Sequence, residues 1–171
     1  MKTSKLKIAL IFIICIHYFP SFGQKNSTNL LLNVHKKDSI ANYFEMDISI
    51  SNDDSTSILF FKPDVNYVNY GLINIVLFNQ MTKKSYNLNY GERGDLDSVT
   101  LTLNNSITLN KGEMFTKNIL ININNFSPHL PHGEYLLELK LNYSITNFKT
   151  DYKGNVFKGE LIASPILIKI I

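Results

Sequence analysis

The chain has one cysteine, Cys15, and no tryptophan among its 171 residues. Cys15 lies within an N-terminal apolar run, so everything after it is without a thiol. Disulfides, thiolate metal sites and cysteine nucleophiles are thereby excluded from the remainder. Acylation of Cys15 is disfavoured too, because Ile13 and Ile14 put bulky side chains where a lipoprotein signal takes small ones. A long apolar span is also missing: Ile8 to Phe19 is 12 residues, whereas a membrane-crossing helix needs ~20. Arginine is nearly absent, with Arg93 the only one. No Gly-x-Ser-x-Gly elbow occurs, which removes one common route to a serine nucleophile.

What is present first is an export pattern. Lys2, Lys5 and Lys7 precede the apolar run, and Ser21-Phe22-Gly23 puts small residues at the −3 and −1 positions of a cleavage site. Residues 1–23 are therefore expected to be a cleaved secretory signal, with a single domain over 24–171. The net charge of +3 belongs to that leader, since 14 basic and 14 acidic residues remain after it. A neutral mature chain has no electrostatic pull toward nucleic acid or anionic lipid, and no stable membrane insertion is expected after cleavage. The expected destination is the periplasm or the exterior.

Beyond the leader, apolar residues alternate with period two between clusters of Asn, Asp, Gly, Ser and Pro, and no helical period persists. This predicts an all-β domain. Strands are expected at Leu30 to His35, Tyr43 to Ser51, Ser57 to Lys62, Leu72 to Asn79 and Lys84 to Leu88. Short edge strands are expected around Asn104-Asn105, followed by strands at Glu113 to Ile123 and Gly133 to Ile145. A bent strand from Val156 to Ile170, broken at Ser164-Pro165, closes the chain. In the second strand Phe44, Met46, Ile48 and Ile50 share one face; in the long one Tyr135, Leu137, Leu139, Leu141, Tyr143 and Ile145 do, with Leu136 an apolar exception on the other. About eight short strands with regular turns suggest a single antiparallel β-sandwich.

Leu130-Pro131-His132-Gly133-Glu134-Tyr135 resembles the entry to strand F of immunoglobulin-like and fibronectin-like sandwiches. The resemblance implies a tyrosine corner, in which the Tyr135 hydroxyl bonds the backbone a few residues earlier. The region from Gly133 to the C-terminus is similar to the last hairpin of exported bacterial immunoglobulin-like domains. The chain departs from antibody-type domains in having no cysteine pair and no tryptophan for the strand C core, so the resemblance is to an architecture, and such folds host many functions.

Candidate chemistry is thin. His129 and His132 flank Leu130-Pro131, but a metal site needs three or four ligands and only His35 remains outside the leader. Met46, Met81 and Met114 are too scattered for a copper site. Glu92, Asp95 and Asp97 lack the spacing of an EF-hand loop and read as a solvated acidic loop. Arg93-Gly94-Asp95 is a good turn before it is an integrin tripeptide. Neither a catalytic centre, a metal site nor a cofactor is expected.

The remaining pattern is aromatic. Tyr67 and Tyr70 follow Pro63, while Tyr86 and Tyr90 precede the Gly91 turn close to Arg93. Tyr and Arg supply large contact area with a polar tip and are enriched at binding hot spots. If both regions share one end of the domain, these five residues form a binding patch; otherwise the tyrosines cap the rim of the core. The functional expectation is an exported, non-catalytic protein that binds a protein or surface glycan through its loops. An inhibitor or immunity-type protein that blocks an exported enzyme is the alternative, and a small hydrolase or metal-dependent enzyme is third.

Overall fold

The structure is a computed structural model that describes residues 30–40, 42–92 and 94–170, without the side chains of 37–40. The expected leader over 1–23 and its cleavage site lie outside the described residues, as does Arg93.

Strands β1 (Leu30–Ile40), β2 (Tyr43–Asn52) and β3 (Ile58–Phe61) lead into a 3-10 helix over Val65–Tyr70. The β4 (Ile73–Asn79) and β5 (Lys84–Leu88) hairpin follows, then β6 (Ser98–Thr100), β7 (Ser106–Leu109) and β8 (Met114–Asn122). After a 3-10 turn at Ile123–Asn125 come β9 (Phe126–Ser127), β10 (Gly133–Asn142), β11 (Asn147–Lys149), β12 (Asn155–Val156), β13 (Glu160–Ile162) and β14 (Ile166–Ile170). The fold is all-β, as the alternation predicts.

Four sheets are assembled among the described residues. In one, β2 lies between β1 and β8, antiparallel to both. In the largest, β10 pairs with β4 along one edge, and β5 and β9 extend the sheet beyond β4. Along its other edge β10 is shared: β14 pairs with Gly133 to Leu137, and β13 with Lys140 to Asn142. The third sheet has the order β12-β3-β7 and the fourth is β11 with β6; the β12–β3 and β11–β6 pairs are parallel.

Side-chain parity decides what these strands bury. Phe44, Met46, Ile48 and Ile50 on β2 are fully buried, as are Tyr135, Leu137, Leu139 and Leu141 on β10. Each such aliphatic or aromatic side chain contributes roughly 1.5–3 kcal/mol on leaving water. Phe61, Tyr143, Phe148 and Phe157 interlock mostly edge to face, with Tyr143 5.9 Å from both Phe148 and Phe157. Leu136 stands on the outer face of β10 and is half-buried in a cross-strand row between Phe78 and Leu167.

Several expectations shift in detail. The strand expected to run to Ile145 ends at Asn142, whose side-chain oxygen accepts from the Ser144 N–H at 3.2 Å and from its hydroxyl at 2.6 Å. Local side-chain bonds of this kind turn the chain away from the ladder. Tyr143 stays buried beyond the turn, while Ile145 is exposed. The closing bent strand is three strands rather than one, with Ser164-Pro165 at the crossing from β13 to β14, where no ladder bond is required of the proline nitrogen. Among the described residues fourteen strand segments stand where about eight were expected, because short pieces are divided among several sheets. The bond implied for Tyr135 is present, its hydroxyl donating to the Pro131 carbonyl at 2.6 Å.

Candidate binding surface

The first tyrosine pair is placed by the 3-10 helix. Asp64 caps its start, accepting the Asn66 N–H at 3.0 Å. Gly71, at φ +73°, closes it by donating its N–H to the Val68 carbonyl at 2.9 Å. Lys117 reaches across from β8 to pair with Asp64 at 2.5 Å. Partial burial alone would raise the Asp64 carboxyl, but the Lys117 ammonium and the Asn66 N–H hold it below its ordinary value. With Val68 buried, Tyr67 turns edge-on to Phe61 at 4.8 Å, and Tyr70 lies 6.2 Å from Tyr67. A β-carbon on Gly94 would come within 2.6 Å of the Tyr70 ring, so this ring lies directly against the 91–97 loop.

Asn69 joins that helix to the loop. Its side-chain oxygen accepts the Tyr90 N–H at 2.9 Å, and its backbone carbonyl accepts the Gly94 N–H at 3.2 Å. Asn89 adds a second brace, with its N–H on the Asn125 carbonyl at 2.8 Å and its side chain accepting the Gly91 N–H at 2.9 Å. Gly91 has φ +129°, a conformation costly for any residue with a β-carbon. The two tyrosine-bearing regions therefore meet.

Their side chains nevertheless part company. Tyr67 and Tyr70 remain together, half-buried at the margin of the core. Tyr86 points inward from β5, is 4% exposed and packs edge-on against Tyr135 at 5.6 Å, so it presents no ring to a partner. Tyr90, just past β5, is 38% exposed and faces a different set of neighbours.

Those neighbours were missed in the sequence. The Tyr90 hydroxyl lies beside the Asn125 side-chain amide and the Asn122 backbone, with Tyr43 close by. Burial pushes this hydroxyl up, the two amides oppose the rise by favouring the phenolate, and Tyr43 adds to it. Asn122 links the two rings: its side-chain amide donates to the Tyr43 hydroxyl at 3.4 Å, while its side-chain oxygen accepts the Asn124 N–H at 3.0 Å. Tyr43 is 41% exposed at the start of β2, and Leu120, two residues before Asn122 on β8, is 50% exposed.

The other candidates are dispersed. His129 and His132 are exposed on the connection into β10, and Glu92, Asp95 and Asp97 are exposed along the 91–97 loop. Among the described residues no group of three or more His, Cys, Asp or Glu side chains could hold a metal ion. A separate groove of about 750 Å³ passes over Phe148 between Asp54, Asp151, Lys149 and Lys158, two carboxylates against two ammonium groups. No protein-family model matches the chain, and no curated protein matches it.

Proposed function

We propose that this chain is an exported, non-catalytic binding protein, freed of residues 1–23 and folded as an immunoglobulin-like β-sandwich. It engages a protein or a surface glycan through loops at one end. The observation that carries the binding role is the double brace after β5, in which Asn69 accepts the Tyr90 and Gly94 N–H groups and Asn89 accepts that of Gly91. A loop fixed before contact loses less conformational entropy on binding, which favours a preformed recognition surface. The tyrosine bond to Pro131 supports the architectural part of this reading. The neutral charge after residue 23 is in keeping with a partner recognised by shape and aromatic contact.

The test is direct. Purified protein is presented to arrays of surface glycans and of exported proteins, and saturable binding is compared between the native chain and Asn69→Ala. Weaker binding by the variant, with slower association and an unchanged fold, is the expected result. Turnover of a substrate by the purified chain alone would overturn the reading. A stoichiometric complex that silences a secreted enzyme would instead assign the inhibitor role.

A further inference from the structure

We infer that the surface formed by Tyr43, Tyr90, Asn122 and Asn125 is a contact site for a neutral carbohydrate. This deepens the binding role proposed above and rests on it.

Three features of the surface lead to this ligand class. The first is its chemistry: the side chains that meet here are phenols and primary amides, with Tyr43 tied to Asn122 and Tyr90 set beside Asn125. A primary amide offers both donors and acceptors, which suits the paired hydroxyls of a sugar better than a phosphate or carboxylate, whose recognition draws on cationic donors. The second is the accessible aromatic area. Tyr43 and Tyr90 are 41% and 38% exposed, and Leu120, two residues before Asn122 on β8, is 50% exposed. A tyrosine ring offers apolar area to the C–H face of a pyranose while its rim stays polar.

The third is how firmly the surface is held. It is assembled from three separate places in the chain, and each is pinned by backbone bonds. The Ile123 N–H donates to the Asn42 carbonyl at 2.7 Å, next to Tyr43, and the Asn89 N–H donates to the Asn125 carbonyl at 2.8 Å, next to Tyr90. Asn124 is fixed by the side chain of Asn122. The two rings are thus carried on ordered backbone, and a weakly binding ligand such as a sugar benefits most when the site is already formed.

The experiment uses purified protein and defined neutral probes: hexaoses of β-1,4-glucose, β-1,4-xylose, β-1,3-glucose, α-1,6-mannose and β-1,4-N-acetylglucosamine. Heparin serves as the charged contrast. Binding is read by titration calorimetry and by shifts of the Asn122 and Asn125 side-chain amide signals in nitrogen-proton spectra. At least one neutral hexaose is expected to bind saturably and to move both amide signals, while heparin moves neither. Tyr43→Ala and Tyr90→Ala should each weaken that binding by about tenfold or more. Met81→Ser, at a fully exposed turn position, should leave it unchanged. The spectral shifts in the native protein decide the matter even where a tyrosine variant folds poorly.

Failure of all five hexaoses to shift either amide would overturn the inference. So would binding that survives both tyrosine substitutions. If the sugars fail but a protein partner is lost on replacing Tyr90, the carbohydrate assignment falls and the binding role stands. If neither sugars nor proteins bind, both fall together.

Discussion

The hydroxyl of Tyr135 donates to the carbonyl of Pro131 at 2.6 Å, tying the start of β10 back to the segment that leads into it. The Tyr135 ring is fully buried, so replacing it by Phe preserves packing and removes only the hydroxyl, with its bond to Pro131 and its contact with the Asn79 side chain. Tyr135→Phe should lower stability by about 1 kcal/mol, the usual net worth of such a bond. Urea denaturation of both proteins measures this, and an unchanged midpoint would remove the bond from the account of why this corner holds.

Tyr143 makes the opposite case. Its hydroxyl is buried among Phe61, Phe148 and Phe157 with no hydrogen-bond partner among the described residues, and burial drives its acidity far below that of ordinary tyrosine. Tyr143→Phe removes an unpaired polar atom at little cost in packing. Stability should rise by about 1 kcal/mol or more, since an unsatisfied buried hydroxyl costs on that order. A fall in the denaturation midpoint would show that the hydroxyl has a partner that matters.

Asn52 is a fully buried polar residue whose side chain is completely engaged. Its amide donates to the Thr56 carbonyl at 2.8 Å and the Leu109 carbonyl at 2.9 Å, and its oxygen accepts the Asp54 N–H at 2.9 Å. It therefore clamps the turn after β2 onto the end of β7. Asn52→Ala strands two carbonyls and an N–H, and should cost about 2–4 kcal/mol. A thermal melt checks this, with a loss under about 1 kcal/mol counting against the clamp.

The Asp64 and Lys117 pair carries a pH signature. Because the folded carboxyl is held below its ordinary value, its contribution is present at neutral pH and is lost as pH falls through the folded value, below about 4. The pair is about one-third exposed, so the effect should stay under about 1 kcal/mol. Asp64→Asn should be less stable than the native chain at pH 7 and converge with it near pH 2–3. A gap that stays constant across this range would mean that the cap alone, not the charge, is responsible.

How much of this was legible follows from how local each feature is. The faces of β2 and β10 could be read directly, because side-chain parity in a strand depends only on neighbours in the chain. The limits of β5 at Lys84 and Leu88 were also clear, and its parity already put Tyr86 beside Leu88 on the buried face, a signal outweighed by the cluster of tyrosines nearby. The meeting of Tyr43 with Tyr90 had no such local mark. It depends on β8 lying against β2 and on β9 lying against β5, and Asn122 reaches Tyr43 across 79 positions. The parallel pairings of β12 with β3 and β11 with β6 were invisible for the same reason.

The way the final strands are distributed has a kinetic consequence. Residues from Asn147 to Ile170 supply β11 to the fourth sheet, β12 to the third, and both β13 and β14 to the largest. Three of the four sheets thus lack a member until this stretch has arrived, and its partners begin as far back as Ile58. Closing such long loops before any contact rewards them makes folding slow, on the scale of milliseconds to seconds for β-rich topologies. A chain built this way stays open until residues 147–170 are available, then closes three sheets with one segment.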